Sequence, residues 1–106
     1  MPTELKINIK KTALVVIDLQ KGITAINTEP YTSKIVVENT VKILRELRKN
    51  KMSVFLVHVT PSPDLKDALR PVAETSYQML KYDPSWSEFV PELNIQSSDF
   101  IITKHQ

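Results

Sequence analysis

Two charged side chains stand where apolar runs end. Asp18 closes the run Thr12-Ala13-Leu14-Val15-Val16-Ile17, and Lys104 follows Phe100-Ile101-Ile102-Thr103. A carboxylate at the end of a buried strand can act as a general base or hold a ligand, because open α/β sheets bind at the carboxyl ends of their strands. It can equally serve the backbone by accepting amides of the loop at 19–24. If both strands run parallel, Asp18 and Lys104 emerge on one rim and can form an ion pair. A solvated lysine is the alternative for position 104. Gln20 and Tyr31 could reach the same rim and touch a ligand. His105, beside Lys104, either lines a substrate pocket there or is simply exposed near the chain end. Gln20 and His105 are taken as the substrate-binding candidates. Nucleophilic serine chemistry needs a base within hydrogen-bond reach, and Ser33, Ser53, Ser62, Ser76 and Ser97 have no motif around them.

His58 alternates with Val57 and Val59 and reads as a core or sheet-face histidine with its hydrogen bonds satisfied. No second histidine stands at metal-ligand spacing, so no metal site is expected. Trp86 and Phe89, three apart, read as one face of a short helix packed on the core or plugging a subunit contact. The chain has no cysteine and one glycine, Gly22. The first fact excludes disulfides, thiolate metal sites and a thiol nucleophile within these residues. The second excludes glycine-rich phosphate loops, and no cofactor is expected.

The elements that must position these residues follow from the pattern. The run at 12–18 is rich in β-branched residues and reads as a strand buried on both faces. A short extended piece is expected at Leu5–Ile9. Lys21–Thr32 carries Gly22, Asn27 and Pro30 and reads as a loop. Thr32 or Ser33 caps a helix whose apolar side holds Ile35, Val36, Asn39, Ile43, Leu44 and Leu47, with Asn50 at its end. Met52–Thr60 is a second buried strand, stopped by Pro61 and Pro63. Strand, helix and strand make a βαβ unit with a right-handed crossover. Pro61–Leu93 holds five of the seven prolines and reads as a long excursion over the sheet, with helical turns at Asp64–Leu69 and Ser85–Val90. Ser98–Thr103 forms the third strand.

With 106 residues, the chain has room for one domain, expected over 1–106. A formal net charge of +2 with scattered basic residues argues against a nucleic-acid partner. No apolar stretch approaches the roughly 18 residues that span a bilayer, and Met1–Lys11 lacks a signal-peptide core. No membrane association is expected, and a cytoplasmic location is the default. Three strands and one long helix make a thin shell. The first strand would leave one edge bare, and a bare apolar edge invites pairing with another chain. The expected partner is therefore a second copy (a homo-oligomer) or a complementing fragment. Two copies could pair first strand to first strand across a two-fold axis.

Residues 12–22 (Thr-Ala-Leu-Val-Val-Ile-Asp-Leu-Gln-Lys-Gly), the helix after them, Val54–Thr60, Pro91-Glu92-Leu93 and Ile101-Ile102-Thr103-Lys104 together resemble the isochorismatase-like cysteine hydrolases, in order and spacing over nearly the whole chain. That resemblance implies an α/β fold, here the N-terminal half of a three-layer α/β/α Rossmann-like parallel sheet of six strands. It implies an Asp–Lys–Cys active site that hydrolyses a small amide, imide or vinyl-ether substrate through a thio-intermediate. Asp18 would be the base that takes the thiol proton and Lys104 the cation beside it. The family's cysteine lies several tens of residues beyond the lysine, outside this sequence, so the chain alone is expected to be inactive. Metal-binding members carry an Asp-x-His motif after the second strand. Pro61-Ser62-Pro63-Asp64-Leu65 lacks it, which argues against a metal and against nicotinamide as substrate. A non-catalytic, self-associating or partner-binding α/β module is the competing expectation.

Overall fold

The computed structural model describes residues 4–67, 72 and 82–106. The β-branched runs form parallel strands, as their composition favours. β1 is Ala13–Ile17, β2 Ser53–Val59 and β3 Phe100–Lys104. They hydrogen-bond in the order β1-β2-β3, with Ile17 beside Val57 and Val59 beside Lys104. The parallel α/β reading therefore holds, and β1 is an edge strand among the described residues. Strand ends differ from the sequence reading by one or two residues; Lys104 is the last residue of β3 rather than the first beyond it.

Two helices occur among the described residues. The expected loop at 21–32 begins with a single helical turn, α1, Lys21–Thr24. Gly22 sits in that turn because the indole of Trp86 lies across it: a Cβ there would fall 1.9 Å from Trp86 Cδ1. The long helix α2 spans Ser33–Lys49. Thr32 is its cap, Oγ1 accepting from Ile35 N–H at 3.3 Å, and Asn50 ends it. Ser33 instead donates to the carbonyl of Ile26. No strand forms at Leu5–Ile9, where Ile9–Lys11 makes a 3₁₀ turn. The expected helix at Ser85–Val90 is 3₁₀ turns at Pro84–Ser87 and Pro91–Leu93, separated by an extended Phe89. Asp64–Asp67 is a turn, and Leu69 lies outside the described residues.

The core lies between the sheet and α2. Val16, Val54 and Leu56 meet Val37 and Leu44, and Val90 and Leu93 close the layer from the proline-rich segment. Side chains on a strand alternate between faces. The opposite face therefore carries Val15, Phe55 and Phe100 in one row and Ile17, Val57 and Ile102 in the next. Val15, Ile17, Phe100 and Ile102 are each about half exposed, so among the described residues the strands are covered on one face rather than two. The helix stripe differs for the same reason. Val37, Val41 and Leu44 face the sheet, while Ile35, Val36 and Ile43 flank them in the open.

An ion pair that periodicity did not signal fastens the far end of α2. Arg48 grips both carboxylate oxygens of Asp99 and donates from Nη1 to Leu93 carbonyl at 2.8 Å. The Asp99 side chain is 1% exposed. Its Oδ2 also accepts from Gln96 N–H, so the carboxylate is well supplied with donors in its buried position.

Candidate active site

β1 ends abruptly because Asp18 turns it. Asp18 N–H makes a ladder bond to Val57 carbonyl at 2.9 Å, and Asp18 then adopts φ 64°, in the left-handed region that only Gly, Asn and Asp visit readily. Such a conformation at a non-glycine residue concentrates at functional sites. The turn aims the carboxylate over the end of β2 toward β3. There Lys104 Nζ donates to Oδ2 at 3.4 Å and stands at the same distance from Oδ1. The side chains are about one-third exposed, Asp18 at 33% and Lys104 at 38%. Oδ1 is buried without a hydrogen bond, which leaves it open as a proton acceptor. Parallel topology thus brings together two residues 86 apart in sequence.

The other candidates take different places. Gln20, expected to touch a ligand, is completely buried. Its Nε2 donates to the carbonyls of Val59 (2.9 Å) and Trp86 (3.3 Å), and its Oε1 accepts from Val59 N–H (2.8 Å). With both ends of the amide engaged by backbone, Gln20 supports the rim from beneath. His105 is exposed beside Lys104, its Nδ1 donating to Thr60 carbonyl at 2.9 Å, which leaves Nε2 free of that bond. Tyr31 stands exposed on the loop before α2. His58 is the satisfied sheet-face residue expected. Its Nδ1 lies 2.6 Å from Ser87 carbonyl and must donate there, so Nε2 accepts from the Thr103 hydroxyl at 2.8 Å. Phe89 stacks on the ring at 4.5 Å.

Sequence reasoning missed how the segment before the 3₁₀ turn Pro91–Leu93 walls the site. Phe89 pairs antiparallel with Gln20, Lys21 N–H donates to Glu88 carbonyl, and Val90 N–H donates to Leu19 carbonyl. Lys21 and Glu88 add an exposed ion pair at 2.6 Å. Ser87 Oγ joins this seam, donating to Val59 carbonyl at 3.0 Å and meeting the Tyr82 hydroxyl at 2.7 Å. No periodicity could reveal a seam made of single residues from a proline-rich stretch.

Beside the rim, Asp64 and Asp67 organise the turn after β2. Asp67 accepts from Ser62 N–H at 2.6 Å, and that bond holds its carboxyl below the ordinary range, with His105 adding a smaller pull. Asp64 is lowered likewise, first by the Ser62 hydroxyl and then by Lys66 N–H. A hollow lies elsewhere, between the start of α2 and Val90–Glu92, and touches neither Asp18 nor Lys104. Among the described residues no three of His, Cys, Asp and Glu converge as metal ligands, and no helix is long and apolar enough to cross a membrane.

A parallel α/β sheet with a carboxylate–ammonium pair across its carboxyl rim defines a class of Rossmann-like proteins whose site lies at the strand ends. Within that class the chain belongs to the isochorismatase family: the isochorismatase domain matches residues 12–106. The uncharacterized isochorismatase family protein YwoC of Bacillus subtilis (strain 168) is 40% identical over 108 residues, covering 100% of this chain and 54% of YwoC. YecD of Escherichia coli O157:H7, also of that family and uncharacterized, is 35% identical, covering 96% of this chain and 54% of YecD. The solved structure of an isochorismatase family protein from Burkholderia thailandensis superposes with a TM-score of 0.76 at 37% identity, over 89% of this chain and 50% of that one. The chain spans about half the length of these relatives.

Proposed function

We propose that these residues form the acid–base half of a cysteine-hydrolase site. Asp18 is the base that takes the proton of a thiol, and Lys104 holds the carboxylate in place and balances its charge. The thiol itself comes from polypeptide outside this sequence, which contains no cysteine. A thiol becomes a strong nucleophile when an adjacent base removes its proton. With an amide or imide the thiolate would add to the carbonyl, the C–N bond would break as the nitrogen takes the proton held by Asp18, and water would hydrolyse the resulting thioester. With a vinyl ether that proton would go first to the terminal alkene carbon. The thiolate would add to the oxocarbenium carbon, and the alcohol would leave before water displaces the sulfur to give the ketone. The observation that carries this reading is the 3.4 Å approach of Lys104 to Asp18, whose Oδ1 is left without a donor.

The test joins this chain to the remaining half of YwoC and offers the product small amides, imides and vinyl ethers. Hydrolysis is expected from the joined protein and not from this chain alone. Asp18→Asn should lower kcat by on the order of 10³-fold, as loss of an activating base does. Hydrolysis undiminished by Asp18→Asn would defeat the proposal.

The open face of the sheet favours a second reading, a module that completes itself with a second copy. Val15, Ile17, Phe100 and Ile102 form one apolar surface, and β1 presents a free edge beside Val36, Thr40 and Ile43 of α2. Pairing of β1 with β1 about a two-fold axis would continue the sheet. Sedimentation at rising concentration should then show a dimer. A monomer at high concentration that assembles only with the YwoC half would favour the first reading.

A further inference from the structure

We propose that Gln20 is the positioning residue of the Asp18–Lys104 pair, its amide standing in for the β1 backbone at the point where Asp18 turns away. The inference rests on the pair having the roles given above.

In a parallel ladder a residue donates to one neighbour on the adjacent strand and accepts from the residue two further along. Asp18 donates to Val57 carbonyl, so a continuing β1 would accept next from Val59 N–H. The left-handed turn at Asp18 removes that acceptor, because it swings the chain out of the sheet. Gln20 Oε1 takes Val59 N–H instead, and Nε2 returns to Val59 carbonyl. One side chain thereby meets both backbone groups of Val59 that the departing strand would have served, with Ser87 Oγ adding a second donor to the carbonyl. Val59 is also the β2 residue in register with Lys104. The amide therefore ties the segment carrying Asp18 to the same β2 residue that Lys104 flanks from the other side.

The arrangement explains why a glutamine is needed. A side chain two residues past Asp18 must offer an acceptor and a donor together in a site that is 0% exposed. Methionine would fill the volume but leave Val59 N–H buried without a partner, a penalty comparable to a lost hydrogen bond. The third bond, to Trp86 carbonyl, binds the neighbouring wall to the same amide.

The experiment compares the wild-type chain with Gln20→Met and Asp18→Asn by ¹⁵N NMR, following Lys104 Nζ and amide exchange at Val59 and Leu56. Asp18→Asn defines the Lys104 signal of a broken pair. Gln20→Met should move Lys104 Nζ at least halfway to that position and speed Val59 exchange about tenfold, with Leu56 protection retained. A general loss of packing would instead raise exchange at Leu56 too. A Lys104 signal that stays at its wild-type position while Val59 protection is lost overturns the inference and leaves the proposed function standing. If Asp18→Asn itself leaves Lys104 unmoved, the pair is absent in solution and both fall. Should Gln20→Met not fold, Gln20→Glu keeps the acceptor for Val59 N–H, and a partial displacement of Lys104 is expected. No displacement there overturns the inference equally.

Discussion

Gly22 lies against the indole of Trp86 so closely that a Cβ at residue 22 would stand 1.9 Å from Cδ1 and 2.2 Å from Nε1. The contact joins α1, which follows the Asp18 turn, to the 3₁₀ turn that walls the site. Alanine would favour the helical turn by about 1 kcal/mol, but the overlap is with a ring that meets Tyr82 edge-on, centroids 6.4 Å apart, rather than with a free side-chain end. Overpacking of this kind costs about 1–3 kcal/mol. Gly22→Ala should therefore lower stability in a denaturant titration, and Trp86→Ala in the same chain should remove most of that penalty. Equal penalties with and without Trp86 would show that the indole is not the cause.

Arg48 and Asp99 should be intolerant of single changes and tolerant of a paired one. Asp99→Leu strands a guanidinium that is only 18% exposed, and Arg48→Met strands a buried carboxylate. Breaking one side of such a pair costs about 3–5 kcal/mol, whereas an apolar replacement of both is often neutral. The double variant should regain most of the Tm lost by either single one. Additive losses would count against the pair acting as a unit.

Asp18 holds its conformation at a cost that two substitutions can expose. Asp18→Ala and Asp18→Gly both remove the carboxylate, but only alanine keeps a Cβ at φ 64°. The left-handed region costs an ordinary residue about 1–2 kcal/mol. Glycine avoids that cost and gives back about 0.5–1 kcal/mol in chain entropy. The glycine variant should be the more stable of the two by roughly 1 kcal/mol, read from denaturant midpoints. An alanine variant of equal or greater stability would mean that the turn relaxes.

Acid should loosen the turn after β2 before it unfolds the sheet. Asp64 and Asp67 have carboxyls held below their ordinary range by hydrogen bonds within that turn. For a depressed folded value, the contribution is present above the unfolded value, about 3.9, and lost as pH falls through the folded one. The amides of Ser62 and Lys66 should therefore shift cooperatively below about pH 4, and Asp67→Asn should abolish the Ser62 transition. A Ser62 shift unaltered in that variant would assign the effect to another group.

The apolar runs at 12–18, 52–60 and 98–103, the capped helix between the first two and the rim positions of Asp18 and Lys104 were all legible along the chain. They depend on local pattern and on one topological rule, that parallel strands deliver their carboxyl ends to one edge. The roles of Gln20, Gly22, Arg48 and Asp99 were not legible in the same way. Each depends on which backbone, ring or charged group arrives from 39 or more residues away, and no period in the chain encodes that meeting.

The same division runs through the site itself. Residue order alone put a carboxylate and an ammonium each at the end of an apolar run and supplied no thiol from within these residues. Tertiary structure decided that Asp18 leaves β1 in a left-handed turn, that the Gln20 amide meets the backbone of Val59, and that among the described residues one face of the sheet is about half exposed. These outcomes follow from hydrogen-bond satisfaction and burial, which are properties of the assembled layers rather than of any one segment.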